Sequence, residues 1–254
     1  MEYRMKIQGN TILITGGGTG IGFALADALV KAGNKVIICG RHESVLKEAK
    51  HKLPQLYIKV CDVSVEQQRK ALFSWISSNF KDFNMLINNA GIQRMIDFTS
   101  GASNRNPNED EIDINLKAPV RLCELFTPLL MKQKQAAIVN VSSGLGFCSI
   151  AVMPVYCATK AAVHSFTISL RHQLRNTSVK VFEIIPPMVD TDLDKSGRDE
   201  RNQEERGIPP SEVAVATMKG LVKDKYEITI GEAEGLKKGA LKNPEKLFQQ
   251  MNQW

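Results

Sequence analysis

The chain carries 254 residues, 43% of them hydrophobic and 24% charged, with 33 Lys plus Arg against 27 Asp plus Glu. This balance excludes a disordered or fibrous chain, and the length suffices for a core without disulfide or metal staples. The net charge of +6 is spread along the sequence; it suits an anionic ligand and speaks only weakly for nucleic acid. Cys39, Cys61, Cys123, Cys148 and Cys157 are odd in number and form no C-x-x-C pair. Reduced thiols in a cytoplasmic protein are therefore expected, and a disulfide framework or zinc site is not. The N-terminal stretch has no apolar segment followed by a cleavage site, and no apolar run reaches the ~18 residues of a membrane span. The expected partners thus include neither a membrane nor nucleic acid.

Short apolar runs alternate with helical patterns from the start. Strands are predicted at Thr11–Thr15, Lys35–Cys39, Leu56–Val60, Asn84–Asn88, Ala136–Val141, Val179–Ile185 and Tyr226–Ile230. Most are apolar almost throughout, as strands buried on both faces are. Helical spacing covers Ile21–Ala32, Ser44–Lys52, Val65–Asn79, Glu111–Lys132, Val155–Arg175 and Ser211–Lys223. Such alternation predicts an α/β fold, a doubly wound parallel sheet with helices on both faces. With no repeat and no linker, residues 1–254 are expected to form a single Rossmann-type domain. Two polar stretches interrupt the rhythm. Thr99–Asp110 reads as a loop before a long helix. Asp192–Pro210 is either a solvated surface segment or a substrate loop that closes over the site.

TGGGTGIG, Thr15 to Gly22, follows the first strand and opens the first helix. Gly16, Gly20 and Gly22 permit a tight turn and close backbone approach to a pyrophosphate, which free N–H groups at the helix start then face. A glycine cluster can be only a turn, but its place between strand and helix favours phosphate binding. The second strand ends Cys39-Gly40-Arg41-His42. A carboxylate at that tip would bind the ribose 2′-hydroxyl of NAD. None is present, and the Arg41 fork can meet a 2′-phosphate, so NADP(H) is favoured over NAD(H).

Tyr156 and Lys160 stand four apart on a predicted helix, on one face. Tyrosine titrates near ~10, too high for acid–base work at neutral pH, and a neighbouring ammonium lowers that value. Y-x-x-x-K alone is common by chance. Ser143 lies thirteen residues earlier at a strand end. Its hydroxyl can hydrogen-bond a substrate carbonyl oxygen.

In this order and spacing, TGGGTGIG, NNAG (Asn88 to Gly91), Asn115 in DIN, Ser143 and YCATK resemble the short-chain dehydrogenase/reductase family in its single-domain branch, from about Lys6 to Thr191. The resemblance implies about seven strands in the order 3-2-1-4-5-6-7 and hydride transfer between a nicotinamide and a carbonyl or alcohol carbon. It implies Tyr156 as acid/base, Lys160 as its tuner and ribose ligand, Ser143 as carbonyl polariser and Asn115 as holder of a relay water. It further implies cofactor contacts at Gly16, Thr19, Gly20, Ile21, Gly22, Arg41, Asp62, Val63, Asn89, Ala90, Gly91, Pro186, Val189 and Thr191. A homodimer or homotetramer built on Glu111–Lys132 and Val155–Arg175 is implied as well, with Leu122, Leu125, Phe126, Leu129 and Phe166 available to sheet and partner alike. Two departures stand out. Pro187 replaces the usual glycine after the sixth strand, removing a backbone donor beside the nicotinamide. PPMVDTDL and the long tail after Ile230 resemble the bacterial D-alanine–lipoteichoic-acid operon oxidoreductases, a genomic label that names no substrate.

An enzyme is therefore favoured over a cofactor-binding regulator or scaffold on the same fold, because Tyr156 and Lys160 are both kept. An epimerase or dehydratase would need a larger substrate domain and other glycine spacing. Met95, Ile96, Phe98, Phe147, Ile150 and Met153 in the pocket loops point to an apolar carbonyl or alcohol substrate. His42, His51, His164 and His172 lack metal-ligand spacing, so no metal is expected. His164 and His172 read as packing or surface residues, and Lys237, Lys238 and Lys242 as a solvated basic patch.

Overall fold

The computed structural model describes residues 4–104, 110–194, 198–199 and 203–253. Its strands are β1 (Thr11–Thr15), β2 (Lys35–Gly40), β3 (Tyr57–Val60), β4 (Phe83–Asn88), β5 (Ala136–Val141), β6 (Val179–Ile185) and β7 (Glu227–Thr229). They form one parallel sheet in the order β3-β2-β1-β4-β5-β6-β7. The register runs straight across the middle, with Leu13 beside Ile37 and Leu86. This is a Rossmann-like α/β fold, as the alternation predicts.

Period-two side-chain alternation divides the core between the two faces. Ile12, Ile14, Val36, Ile38, Phe182 and Ile184 face α1 (Gly20–Lys31) and the helix over Pro210–Val222, here α6. Leu13, Ile37, Leu86, Ile138 and Val181 face α3 (Glu66–Asn79), α4 (Ala118–Leu130) and α5 (Pro154–Gln173). α2 (Glu43–Lys52) covers the outer edge through Leu46 and Ala49. Every residue of β1 and β5 is buried. β3 is an edge strand and only partly covered. All five cysteines are buried and free of disulfides. Among the described residues no helix is long and apolar enough to cross a membrane.

One expectation needs correction. The helix predicted from Glu111 is not uniform: a π-helical turn over Asp113–Lys117 precedes α4. The tail after β7 is helical. It folds into α7 (Glu232–Lys242) and α8 (Pro244–Met251), with the Asn243 side chain accepting from Lys246 N at 3.0 Å to start the second helix. Pro244 suits the first helical turn because its missing N–H would have been unpaired there anyway. Of the segment 192–210, residues 195–197 and 200–202 lie outside the described residues. Near its end, Ile208 bonds back to the residues after β6: Asp190 N donates to Ile208 O at 2.9 Å, and Ile208 N to Met188 O at 3.1 Å.

Candidate active site

The ends of β1, β2 and β4 converge on a cavity of about 190 Å³. Gly16, Thr19, Arg41, Asp62, Val63, Ala90 and Gly91 line it, all of them expected from the sequence. Gly18, His42, Val45, Leu46, Cys61, Ile92 and Ile114 line it too and were not expected. A Cβ on Gly22 would fall 2.2 Å from Gly16 O, so the helix can start this close to the strand only without a side chain. Thr19 makes no side-chain cap to α1, which leaves the first N–H groups of that helix to a ligand. Asn89 straps the glycine turn from beneath. Its Nδ2 donates to Thr15 O at 3.0 Å and Gly16 O at 3.1 Å, while Thr15 Oγ1 accepts from Asn89 N and Ala90 N. The Asn89 side chain is thus committed to holding the turn. The Asp62 carboxylate is engaged as well, accepting from Ser64 N at 2.9 Å and Ser64 Oγ at 2.6 Å. Arg41 is exposed at the mouth, and its Nε meets His42 Nε2 at 3.0 Å.

A second, larger cavity of about 840 Å³ opens beyond β5 and β6. Ser143 and Tyr156 line it together with Ile21, Pro186, Pro187, Val189 and Thr191. Ser143 follows β5 and starts a short 3₁₀ turn, Gly144–Gly146, by accepting from Leu145 N at 3.1 Å. Pro186 O accepts from Gly144 N at 2.9 Å, which locks this turn to the end of β6. Tyr156 sits in the first turn of α5, where Pro154 opens the helix. One turn on, Lys160 is buried, and its Nζ donates to Val141 O at 3.0 Å and lies 5.6 Å from the Tyr156 ring centroid. Burial pushes the Lys160 ammonium down from 10.5 to about 8.

Asn115 lies in the π turn and is 2% exposed. Its Oδ1 accepts from Ile92 N at 2.8 Å, and its Nδ2 donates to Ile92 O at 2.8 Å and Thr159 Oγ1 at 3.2 Å. A Cβ built on Gly91 would lie 3.3 Å from Asn115 Oδ1 and 3.6 Å from Lys160 Nζ, so both groups gather at that glycine. Thr191 reaches back to the phosphate turn, its Cγ2 2.9 Å from where Gly20 would carry a Cβ. The fold therefore brings Asn115, Ser143, Tyr156 and Lys160 to the carboxyl ends of the strands, next to the glycine turn.

The tail supplies wall residues that local sequence patterns do not reveal. Glu232, Leu236 and Met251 line the larger cavity with Met95, Ile150, Val152, Met153, Met188 and Leu193. Among residues expected there, Phe98 is 64% exposed and Phe147 turns instead toward His164. Lys237 is not solvated surface as expected. It pairs closely with Glu227 and sits 5.2 Å over the Phe147 ring.

These features agree with what the chain is similar to. Residues 10–202 match the short chain dehydrogenase family. The uncharacterised oxidoreductase DltE of Bacillus subtilis (strain 168) is 52% identical over 248 residues, 98% of each chain. An uncharacterised oxidoreductase of Staphylococcus aureus (strain MRSA252) is 30% identical over 86% of this chain and 95% of its own. A short chain dehydrogenase from Burkholderia cenocepacia J2315, solved in complex with NADP, superposes with a TM-score of 0.84 at 25% identity, covering 98% of this chain and 100% of that one. One from Burkholderia phymatum, in complex with NAD, has the same fold, with a TM-score of 0.83 at 24% identity over 94% and 97% of the two chains. The chain belongs to the short-chain dehydrogenase/reductase family of NAD(P)-dependent oxidoreductases that act on CH–OH and C=O groups.

Proposed function

We propose that this protein is an NADPH-dependent oxidoreductase that interconverts a carbonyl compound and its alcohol, with Asn115, Ser143, Tyr156 and Lys160 as its working residues. The observation that carries this reading is the shared lining of one cavity by Ser143 and Tyr156, with Lys160 buried directly behind the tyrosine. The glycine turn fits a dinucleotide, since the space beside Gly16 and Gly22 admits backbone and ligand but no Cβ. Gly16, Thr19, Gly20, Ile21 and Gly22 would hold the pyrophosphate, Asp62 and Val63 the adenine, Ala90 and Gly91 the adjoining ribose, and Pro186, Val189 and Thr191 the nicotinamide. Asn89 would act by holding the glycine turn. When bound, the nicotinamide supplies or takes the hydride.

In this reading Ser143 Oγ donates to the substrate oxygen and polarises the carbonyl. Tyr156 donates its phenolic proton to that oxygen in reduction and takes it back in oxidation. The Lys160 ammonium beside the ring would stabilise the phenolate that remains, and it would also help hold the nicotinamide ribose. With both side-chain ends of Asn115 already bonded, a relay water would be held by its backbone carbonyl. The cavity is lined chiefly by Met, Ile, Val and Leu side chains, which favours a bulky apolar carbonyl substrate.

Tyr156→Phe tests the assignment. It keeps the ring and removes only the proton donor, so reduction of an accepted ketone or aldehyde should fall by roughly 10²–10⁴-fold. Its Kd for NADPH should stay near that of the wild type. Loss of NADPH absorbance in a carbonyl screen reads the first and fluorescence titration the second. A Tyr156→Phe enzyme with wild-type turnover overturns the reading.

A further inference from the structure

Beneath the proposed catalytic groups, four neighbouring strands present polar residues in one register. Asn88 of β4 lies opposite Asn140 of β5, Asn140 opposite Glu183 of β6, and Glu183 opposite Glu227 of β7. A polar row that crosses one half of a parallel sheet replaces apolar packing and needs a partner for every group that it buries. Asn88 Nδ2 donates to Asn140 Oδ1 at 2.8 Å, and Asn140 Nδ2 to Thr167 Oγ1 of α5 at 2.9 Å. The third position holds a carboxylate with no exposed surface at all. A buried carboxylate is tolerated only when it is well paired. Glu183 has two partners. Ser142 Oγ donates to Oε1 at 2.5 Å, and His164 Nδ1 lies 3.0 Å from Oε1 and 2.8 Å from Oε2. The contact is a hydrogen bond to a carboxylate, which only accepts, in the tautomer that carries the proton on Nδ1.

Both partners belong to segments that hold proposed catalytic groups. Ser142 immediately precedes Ser143. His164 lies four residues beyond Lys160 and eight beyond Tyr156, on the same face of α5. A second tie runs from the other end of the Ser143 turn. The Phe147 ring meets the His164 ring edge-on at 4.5 Å between centroids, and Lys237 Nζ lies 5.2 Å from the Phe147 ring centroid. Lys237 pairs closely with Glu227, and Arg171 of α5 lies 3.8 Å from that carboxylate. His164, Glu183 and Glu227 bring their ligand atoms within 4.8 Å of one another, a separation a metal could bridge. Lys237 and Arg171 both pair with Glu227, while Ser142 and His164 hold Glu183, so the cluster reads as a hydrogen-bonded and ion-paired clamp.

We infer that Glu183 and His164 are positioning residues: through Ser142, Phe147 and α5 they fix the spacing between Ser143 and Tyr156. The inference rests on the oxidoreductase reading above. Neither side chain lines the cavity, so each acts only through the segments it joins. A misplacement of about 1 Å at a reacting group can cost about 10²-fold in rate, which makes such a clamp consequential.

His164→Ala and His164→Asn test it, since the asparagine amide nitrogen takes the place of Nδ1 as donor to Glu183. His164→Ala should lower kcat for carbonyl reduction about tenfold while leaving the Kd for NADPH unchanged. Its primary isotope effect with C4-deuterated NADPH should rise, because the chemical step has slowed. His164→Asn should recover most of the rate. Ser142→Ala should lower kcat less and add little when combined with His164→Ala, because both break the same link; it also serves should His164→Ala fail to fold. Crystal structures of the NADPH complexes read the clamp without turnover. The Ser143–Phe147 turn should move in His164→Ala and return in His164→Asn. A wild-type enzyme that reduces no carbonyl overturns the oxidoreductase reading alone, since the structures still judge the clamp. Wild-type kcat in His164→Ala, no recovery in His164→Asn, or an unmoved turn overturns the clamp.

Discussion

Lys160 shows how a single buried charge links chemistry to stability. The unfolded chain holds this proton up to about pH 10.5, whereas in the folded protein burial brings the value to about 8. Between those two pH values the unfolded state binds more protons, so stability climbs with pH by at most about 1.4 kcal/mol per unit from this group. Below pH 8 both states hold the proton, and folding carries the full cost of the buried ammonium. Urea denaturation of the apo protein at several pH values should show wild-type stability gaining on Lys160→Met between pH 8 and 10.5. A constant difference across that window would mean that Lys160 is charged and solvated in the fold. Arg41 belongs to the same scale. It stands at the mouth of the nucleotide cavity with Gly40, not a carboxylate, before it. Losing a charge-assisted bond to a 2′-phosphate costs about 1.5–3 kcal/mol. Arg41→Ala should therefore weaken NADPH roughly 10–100-fold and NADH little, as paired binding titrations would read. Equal losses for both cofactors would remove Arg41 as the discriminator.

Among the elements, the two tail helices matter most for specificity. α7 packs against the turn that follows Ser143, and a Cβ on Gly144 would lie 2.9 Å from Leu236 Cδ1. α8 ends at Asn252, whose Oδ1 accepts from Ala151 N at 2.6 Å and whose Nδ2 donates to Ser149 O at 3.1 Å. The tail thereby holds the loop between Ser143 and Tyr156 while Met251 faces the cavity. Each such bond contributes about 1 kcal/mol. Asn252→Ala should raise KM for a bulky carbonyl substrate about three- to tenfold and leave the Kd for NADPH unchanged, because nothing in the tail lines the nucleotide cavity. Steady-state kinetics with one large and one small ketone checks this; an equal rise for both would mean that the tail does not shape the pocket.

For the whole molecule, the assembly implied by the family remains our proposal, and the structure narrows which residues can serve it. Leu122 and Phe126 of α4 are buried in the chain's own core, so they cannot also face a partner. Leu125, Leu129 and Phe166 are only partly covered. α5 exposes Ala158, Ala161, Ser165 and Ile168, a run of small and apolar side chains that permits close helix approach. Sedimentation at micromolar concentration should show a homodimer or homotetramer, and Ile168→Glu should shift it toward a ~28 kDa species, since a buried unpaired carboxylate is costly. A wild-type monomer would end the proposal.

The order of apolar runs and glycines by itself determined that this is a doubly wound parallel sheet with a dinucleotide turn after its first strand. Period-two and period-3.6 patterns are local, and fully buried strands announce themselves as uninterrupted Val, Ile and Leu. One helix turn and one strand end singled out Tyr156, Lys160 and Ser143 as candidates, and the resemblance to the family supplied the roles we propose for them. The tertiary structure decided what depends on residues distant in sequence. Nothing near Asn252 indicates that it closes a loop a hundred residues away, and the short polar pattern of 232–251 gives a weak helix signal without that contact. Lys237 reads as solvated until Glu227 and Phe147 are brought beside it. Glu183 reads as one polar residue in an apolar strand; only the sheet register, which sets it between Ser142 and His164, turns it into the centre of a buried clamp.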